Sequence, residues 1–546
     1  MKFDLSYRDK ELSRITTKKN ELIVIGGGIT GAGIALDASS RGIQTVLLEK
    51  RDLASGTSGR STKLIHGGLR YLRQLEFGLV KETGRERAIL HKMAPTLVKP
   101  EPMLLPILKN GTLSLFEAII GTWLYDTLAG VKKNERRKML LKGSVRALEP
   151  ALREDWIRSG IYYYEYQTDD ARLTMEIARE AAYRNASVIT YAKVKGFLFD
   201  SSKKIIGVCV DDLLNGKSYE IKADVVVNAT GHWTDITSRL NNLNSNIVLK
   251  KTKGIHIVVD AANLPIGQAI YTEALDRRMI FFIPKRGKVY IGTTDTDYYG
   301  DPDNPDITER DIDYLLSSAN ALFPSYKLKR TDVESGWAGI RPLVFKKETI
   351  NNSTISRKDE IYLDKNSGLI SIAGGKLTGF RKMAERITNI VEMKIKNRTT
   401  KCGTHNVLLH SSKTENNLPL NDYLYNCSNE LVNRGFTRFT ADDIVARYGT
   451  ATKNIISGYD NMQHCNNSEL RLLLAEYEYC KQHELCIFPS DFFMQRTGYI
   501  YFDIKKVNLY YTHVYEYEKK INNIHSTLID SDYTLTTAIL NSWIHK

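Results

Sequence analysis

The clearest pattern near the start of the chain is a short apolar run, a glycine cluster and a helical segment. Residues 21–25 are mostly apolar, three glycines follow at 26–28, a helical pattern covers 29–41, and a second apolar run covers 45–48. Apolar runs on either side of a glycine turn and a helix predict a strand–helix–strand unit. We therefore expect a βαβ unit at this point.

Further apolar runs rich in β-branched residues recur along the middle of the chain and are bounded by turn residues. They are residues 205–210, 225–227, 255–259, 279–283, 289–291 and 369–373. Such runs predict strands, here in a mixed α/β and antiparallel region. From about residue 401, polar connections alternate with helical patterns, which predicts a mainly helical C-terminal domain.

Length and composition narrow the class of protein. The chain has 546 residues, of which 42% are hydrophobic and 26% charged, a mixture typical of globular proteins with several domains. It lacks a run of 18 apolar residues, so a polytopic membrane protein is excluded. The six cysteines form no C-x-x-C pair or zinc pattern, so we expect reduced thiols and no metal site.

The net charge points to an anionic partner. Lys and Arg number 77 against 63 Asp and Glu, which leaves a net charge of +14. An excess of this kind favours nucleic acid, anionic lipid or phosphorylated metabolites, and charge alone does not choose among them.

The glycine cluster carries the first chemical signal. Gly26-x-Gly28-x-x-Gly31 directly follows the predicted strand and opens the predicted helix, and Glu49 ends the second strand. Glycines at these positions permit a tight turn, close approach of a pyrophosphate and close helix–strand packing. An acid at the end of the second strand can accept the ribose hydroxyls. The segment therefore predicts a dinucleotide site.

Two later segments favour FAD over NAD. Residues 225–231 read as a strand that ends in Ala-Thr-Gly, and residues 368–376 read as a strand followed by a glycine pair and a helix. The N-terminus of that helix can stabilise negative charge on a reduced flavin. Each segment alone is also compatible with an ordinary strand–turn–helix connection, but the two together and in this order predict FAD.

Several motifs closely resemble those of the FAD-dependent, membrane-associated glycerol-3-phosphate dehydrogenases. They are DLASGTSGRSTKLIHGGLRYLR (52–73), TDDARL (168–173), KGIH (253–256), GTTDT (292–296), WAGIRP (337–342), AGGKLT (373–378) and SDFFMQRTG (490–498). The resemblance covers roughly residues 20–505 and implies oxidation of sn-glycerol 3-phosphate by hydride transfer to FAD. One departure is His232, where a smaller residue or proline is expected after Ala-Thr-Gly.

The resemblance assigns Arg70, Tyr71 and His256 to the substrate phosphate. A histidine in an apolar strand such as His256 is also often a core residue. Arg341 and Lys376 are the residues that we expect to hold the substrate oxygens, because their cations suit phosphate and a developing alkoxide. His66 is the first candidate for the base, and Lys376 with a depressed pKa is the alternative.

The expected contacts to FAD extend beyond the glycines. They comprise Gly26, Gly28, Ile29, Thr30, Gly31, Glu49, Lys50, Ser58, Ser61, Lys63, Leu64, His66, Val194, Ala229, Thr230, Gly231, Gly375, Lys376, Leu377 and Thr378.

The predicted fold class is α/β, with a Rossmann-like FAD-binding domain, a mixed-sheet substrate domain and a mainly helical C-terminal domain. The FAD-binding domain is expected to be discontinuous, formed by residues 21–95, 186–235 and 330–400. Residues 96–185 and 236–329 are assigned to the substrate domain, and 401–546 to the helical domain. Residues 1–20 have no apolar core typical of a secretory signal and are expected to form a solvated basic arm.

The expected electron acceptor is a membrane quinone, which is implied by the resemblance. Residues 113–128 are unusually apolar, and cations follow at Lys132, Lys133, Arg136, Arg137, Lys138, Lys142 and Arg146. A basic, partly amphipathic segment can lie on anionic lipid, although a buried helix with a solvated basic face is an equal reading. Together with the resemblance, this predicts peripheral attachment to the cytoplasmic face of the cell membrane. A homodimer is also expected.

Three other functions are compatible with parts of the sequence. A glycerol-3-phosphate oxidase would share the site but reduce oxygen to hydrogen peroxide. A nucleic-acid-associated flavoprotein would need basic residues interleaved with aromatics, and the tyrosine-rich stretch 162–166 has Glu165 instead, so no nucleic acid is expected. A non-catalytic scaffold is disfavoured because Arg70, Arg341 and Lys376 are all present.

Overall fold

The computed structural model describes residues 2–66, 77–112, 135–241, 247–344, 359–414, 418–521 and 526–544. Within these ranges the strands are β1 (Asn20–Ile25), β2 (Thr45–Leu48), β3 (Leu64–Ile65), β4 (Val98–Leu108), β5 (Lys138–Leu141), β6 (Ile157–Thr168), β7 (Ser187–Ile189), β8 (Ala192–Phe199), β9 (Ile205–Asp212), β10 (Ser218–Asn228), β11 (Leu249–Asp260), β12 (Ala269–Glu273), β13 (Met279–Lys285), β14 (Lys288–Gly292), β15 (Thr296–Asp297), β16 (Val333–Val344), β17 (Glu360–Leu363) and β18 (Ile370–Ala373).

The helices of the same ranges are α1 (Leu5–Thr17), α2 (Ile29–Ser40), α3 (Phe77–Met93), α4 (Lys142–Leu148), α5 (Asp170–Tyr183), α6 (Thr234–Arg239), α7 (Glu309–Leu322), α8 (Phe380–Lys396), α9 (Leu420–Asn433), α10 (Arg438–Tyr448), α11 (Thr452–Asn461), α12 (Ser468–His483), α13 (Pro489–Asp491), α14 (Tyr499–Phe502), α15 (Ile504–Ile521) and α16 (Ser526–Ile544).

The first sheet is built around the predicted βαβ unit. Strand β1 pairs in parallel with β2 and β10, and the order across the sheet is β17-β18-β10-β1-β2-β7. The paired centres of its middle strands, residues 22–25 of β1 and 225–227 of β10, are apolar because both faces are covered. Helices α2, α5 and α8 pack on one face, while α1 and the β8–β9 ribbon cover the other. The predicted Rossmann-like unit is confirmed.

The second sheet is mainly antiparallel, in the order β15-β11-β14-β13-β12-β4-β6-β3, with β16 beside β11 and β5 beside β6. Helix α7 packs its apolar side against β11, β13 and β14. A mixed sheet was expected here, and β4 does pair in parallel with β12.

Three elements lie on the other side of the predicted domain boundaries. Strands β3 and β16 belong to the second sheet, since β3 pairs with β6 and β16 pairs with β11 along most of its length. Helix α5 packs against α2 of the first sheet. The boundaries were wrong at these points because antiparallel pairing between distant segments leaves no mark on the local pattern.

The expected solvated arm at residues 1–20 is instead an ordered helix. Asp4 caps α1 by accepting a hydrogen bond from the backbone N–H of Tyr7 (2.9 Å). Leu12 and Ile15 are buried against the first sheet, and the fully buried Arg8 forms an ion pair with Asp212 (2.6 Å). The prediction was wrong because a few apolar side chains among many charges suffice to anchor a helix whose other face is solvated.

The C-terminal helices α9–α16 form a domain with its own apolar core, as predicted. The core includes Leu431, Ile444, Leu473 and Phe492 from four different segments. In the part of the chain that the structure describes, no helix is both long and apolar enough to span a bilayer.

Candidate active site

A cavity of about 610 Å³ lies where the two sheets meet. Its walls come from the N-terminus of α2, the loop 57–66, strands β11 and β16, and the corner at residues 374–378. The volume falls within the range of about 300–1,000 Å³ that is typical of small-molecule sites.

The first glycine corner forms one end of the site. A Cβ atom at Gly31 would lie 1.9 Å from the carbonyl oxygen of Gly26, so only glycine permits this approach of helix and turn. Gly26 itself has a φ of +112°, and Gly28 precedes α2 with no side chain to cap it. The N-terminus of α2 is therefore accessible to an anionic group.

Ser58 and Glu49 complete this corner. The backbone N–H of Ile29 donates a hydrogen bond to Ser58 Oγ (2.9 Å). The Glu49 carboxylate accepts hydrogen bonds from the backbone N–H groups of Gly27 (2.6 Å) and Arg51 (2.9 Å). Burial raises the pKa of Glu49, and these two N–H groups oppose that rise. Each carboxylate oxygen still has a lone pair for a ribose hydroxyl.

The second corner follows β18. Gly374 and Gly375 both have positive φ values (78° and 79°), and a Cβ atom at Gly375 would lie 2.5 Å from the Met383 sulfur. Residues Leu377–Gly379 then form a short turn of 3₁₀ helix that leads into α8. Thr378 Oγ1 lies 3.4 Å from the carbonyl oxygen of His66, to which it donates.

Most of the expected FAD contacts fall into two groups. Those lining the cavity are Ile29, Thr30, Ser58, Ser61, Leu64, His66, Gly231, Gly375, Lys376, Leu377 and Thr378. Gly26, Gly28, Gly31, Glu49, Ala229 and Thr230 lie at or beside the first corner, outside the cavity walls. The two corners and the cavity between them fit an extended dinucleotide, since one offers an open helix N-terminus and the other a second helix N-terminus.

Three of the expected FAD contacts have other surroundings. Lys63 Nζ is buried in an ion pair with Asp170 (2.6 Å), and Lys50 pairs with Asp303. Val194 lies on β8 opposite Val210 and does not line the cavity. Because the Lys63 and Lys50 ammonium groups bind carboxylates, we infer that they hold the surrounding loops in place.

Arg341 and Lys376 both line the cavity, although they come from different sheets. Arg341 Nη1 donates to the carbonyl oxygen of Thr294 (3.1 Å) and to the Asp295 carboxylate (3.2 Å), and Nη2 donates to Thr293 Oγ1 (2.8 Å). These acceptors fix the plane of the guanidinium. Arg70 and Tyr71 lie outside the described residues.

Sequence reasoning missed three further cations on the cavity wall: Arg60, Arg277 and Arg278. Arg277 and Arg278 stand in the turn between β12 and β13, and Arg277 has a left-handed φ of 66°. A short turn between two strands has no recognisable sequence motif. That these two arginines reach the cavity is therefore visible only in the folded structure.

His256 is both buried and part of the cavity wall. Its ring stacks on Trp337 (4.8 Å between centroids), and Nε2 lies 3.1 Å from Thr62 Oγ1. Burial holds the pKa of His256 well below its usual range, and Arg341 and Lys63 lower it further. A neutral imidazole can give a substrate phosphate a hydrogen bond but no charge.

His232, the departure noted above, joins three segments beside the site. Nδ1 lies 3.0 Å from Thr57 Oγ1, and Nε2 lies 3.0 Å from the carbonyl oxygen of Pro302. Burial lowers the pKa of His232 to about 3. The neutral ring thus bridges the cofactor loop and a loop of the second sheet.

Comparison with known proteins agrees with this site. Residues 21–381 match the family described as FAD dependent oxidoreductase. The chain is 43% identical over 512 residues to the aerobic glycerol-3-phosphate dehydrogenase of Bacillus subtilis, covering 92% of this chain and 91% of the relative. The chain therefore belongs to the FAD-dependent oxidoreductases and, among them, to the family of aerobic glycerol-3-phosphate dehydrogenases.

Solved structures give the same result. The glycerol-3-phosphate dehydrogenase of Bacillus halodurans, complexed with FAD, superposes with a TM-score of 0.83 at 37% identity and covers 98% of each chain. An L-alpha-glycerophosphate oxidase from Mycoplasma pneumoniae with FAD bound gives a TM-score of 0.57 at 16% identity, covering 72% of this chain and 99% of that one, and so shares the fold alone. The predicted cofactor, FAD, is confirmed.

Proposed function

We propose that this protein oxidises sn-glycerol 3-phosphate to dihydroxyacetone phosphate. The observation that carries the proposal is the cavity that Arg341 and Lys376 both line, with Lys376 at the second glycine corner. When bound, FAD supplies the acceptor for the hydride that leaves C2 of the substrate. Side chains of the protein must bind the dianionic phosphate of the substrate, orient C2 and accept the proton of the C2 hydroxyl.

Binding of the dianion is assigned to the cations of the cavity. Arg341 offers a planar pair of donors to substrate oxygens, and Lys376 adds a point charge. Arg70 and Tyr71 are proposed to share the phosphate, and His256 adds a hydrogen bond from a neutral ring. The names of the similar dehydrogenases support this substrate.

Removal of the hydroxyl proton needs a base within hydrogen-bond reach of the substrate. His66 lines the cavity with its ring edge toward Phe281 (6.2 Å between centroids), and we keep it as the first candidate. Lys376 also lines the cavity and is the alternative. The pH dependence of the hydride-transfer rate in His66→Gln and Lys376→Met variants would distinguish the two.

The electron acceptor is proposed to be a membrane quinone. The support is that the relatives of high identity are named dehydrogenases, whereas the similar oxidase is related by fold alone. The experiment compares reoxidation of the substrate-reduced protein by a soluble quinone and by dissolved oxygen. Fast reoxidation by quinone with little peroxide is expected, while fast peroxide release would assign the protein to the oxidases.

We propose that a basic, partly apolar surface attaches the protein to the cytoplasmic face of the cell membrane. Its described part combines the exposed apolar side chains Met139, Leu141 and Leu148, which are 41%, 80% and 41% exposed, with nearby cations. The apolar stretch 113–128 and Lys132 and Lys133 lie outside the described residues. Exposed apolar groups among cations suit an anionic lipid surface.

Charge reversal tests this surface. Replacing Arg136, Arg137 and Lys138 by glutamate should move the protein from the vesicle pellet to the supernatant in sedimentation with anionic liposomes, because each cation near the surface contributes about 1 kcal/mol. The matched control reverses Lys203, Lys204 and Lys217, exposed cations near the β8–β9 ribbon. Equal sedimentation of the first variant and the wild type would discard this surface.

A further inference from the structure

A fully buried ion pair joins the helical C-terminal domain to the FAD-binding domain. Arg496 Nη1 and Nη2 donate to the two carboxylate oxygens of Asp52, at 2.5 Å and 2.9 Å. Arg496 is 0% exposed and Asp52 is 2% exposed. A bidentate pair of this kind is strong and directional, and the loss of one partner leaves an uncompensated charge in the interior.

The protein holds Arg496 itself in one orientation. Its Nε donates to the carbonyl oxygen of Glu484 (3.2 Å), and Nη2 also donates to the carbonyl oxygens of Glu484 (2.9 Å) and Leu485 (3.3 Å). The guanidinium therefore cannot turn away from Asp52 without leaving buried donors unpaired. The C-terminal domain therefore presents the Arg496 guanidinium to Asp52 in a fixed orientation.

Asp52 begins the loop 52–60, which closes over the first glycine corner. The backbone N–H of Ala54 donates to the carbonyl oxygen of Gly27 (3.1 Å), and Ser58 Oγ accepts from Ile29. Ala54 has a φ of 61°, a left-handed conformation that is unfavourable for a residue other than glycine. A loop that contains such a residue needs restraint from its surroundings, and the Asp52–Arg496 pair stands at its start.

We propose that Arg496 is a positioning residue for FAD. By holding Asp52, it keeps the loop 52–60 on the glycine corner, so that docking of the C-terminal domain and binding of FAD stabilise each other. The coupling is reciprocal: if docking of the C-terminal domain strengthens FAD binding, then FAD binding must strengthen docking by the same factor. The proposal concerns retention of the cofactor and does not depend on the identity of the substrate.

FAD titration of the full-length apoprotein tests the proposal, with flavin fluorescence as the signal. Asp52→Asn and Arg496→Lys should each raise the Kd for FAD roughly tenfold or more, the size expected for loss of one charge-assisted hydrogen bond. The double variant should bind FAD no more weakly than the weaker single variant, because both changes break one contact.

The control is a buried pair of the same chemistry inside the C-terminal domain. Arg447 Nη2 donates to Glu476 Oε2 (2.8 Å), and both side chains are 1% exposed. Glu476→Gln should lower the thermal midpoint as Asp52→Asn does, yet leave the Kd for FAD within about twofold of the wild type. If this control loses as much FAD affinity as Asp52→Asn, the loss in both variants reflects general destabilisation of the protein, and the proposal is overturned.

Two other results would also overturn it. One is an unchanged Kd for FAD in folded Asp52→Asn and Arg496→Lys proteins, with folding checked by circular dichroism. The second measurement needs no variant: FAD added to the wild-type apoprotein should slow amide hydrogen exchange in residues 484–502, where the C-terminal domain meets the loop. Exchange in that segment that is the same with and without FAD would refute the coupling.

Discussion

Replacement of Arg341 by lysine tests the proposed substrate site most sharply among the single substitutions. The Arg341 guanidinium lies on β16 and is oriented by Thr293 Oγ1, the carbonyl oxygen of Thr294 and Asp295. Lysine keeps the positive charge but cannot present two parallel donors in a fixed plane. The substitution therefore tests the planar arrangement of the two donors while the positive charge is kept.

The magnitude follows from the hydrogen bonds at stake. A hydrogen bond to a charged group contributes about 1.5–3 kcal/mol, and lysine can replace one of the two bonds that the fork offers a substrate. Loss of the second bond, together with looser orientation of the ammonium group, corresponds to about 3 kcal/mol. Since about 1.4 kcal/mol is tenfold in rate, kcat/KM should fall roughly a hundredfold.

The assay is anaerobic reduction of the protein-bound flavin by glycerol 3-phosphate in a stopped-flow instrument. FAD content per chain should equal that of the wild type, because Arg341 lies on β16 and belongs to neither glycine corner. Arg330→Lys is the matched control, since Arg330 is exposed and pairs with Glu309 and Asp313 away from the cavity. A reduction rate in Arg341→Lys within twofold of the wild type would remove Arg341 from the mechanism.

Three other outcomes follow from the structure. Gly31→Ala should give protein without bound FAD, because the new Cβ would meet the Gly26 carbonyl at 1.9 Å; yellow, fully loaded protein would contradict this. Arg277→Gly should raise KM severalfold without lowering the thermal midpoint, since a cation leaves the cavity wall while a left-handed φ of 66° is relieved. Lys203→Gly, also at a left-handed φ (63°), is the control and should leave KM unchanged. Burial raises the pKa of Glu149 from 4.5 to about 7, so the unfolded state ionises first and stability falls as the pH rises from about 4.5 to 7. Glu149→Gln removes that loss, so its thermal midpoint relative to the wild type should be higher at about pH 8 than at about pH 5; an equal difference at both would refute the cause.

Local patterns predicted the parts of the fold that local chemistry determines. The strand, glycine turn and helix at residues 20–40 depend on apolar runs and on glycines without room for a Cβ, and both are visible in the sequence. The corner at 374–378 was found for the same reason. Arg341 and Lys376 were expected in one place, and the structure brings both to the same cavity although they come from different sheets.

The features that sequence reasoning missed depend on contacts between distant segments. Strand β16 joins the second sheet through its pairing with β11, which no pattern within 333–344 reveals. Helix α1 is anchored by the burial of Leu12 and Ile15 and by the Arg8–Asp212 ion pair, and these contacts form only in the folded protein. The Asp52–Arg496 pair likewise unites positions at opposite ends of the chain. The sequence does not indicate such ion pairs, because their partners meet only when the two domains pack together.

We have proposed that FAD and a three-carbon phosphate ester share one cavity. The most direct measurement is anaerobic titration of the FAD-loaded protein with sn-glycerol 3-phosphate while the flavin absorbance is followed. We expect bleaching by glycerol 3-phosphate and not by glycerol at the same concentration, since only the phosphate ester carries the charge that cations such as Arg341 and Lys376 would bind. A flavin that dithionite bleaches but glycerol 3-phosphate leaves oxidised would contradict it.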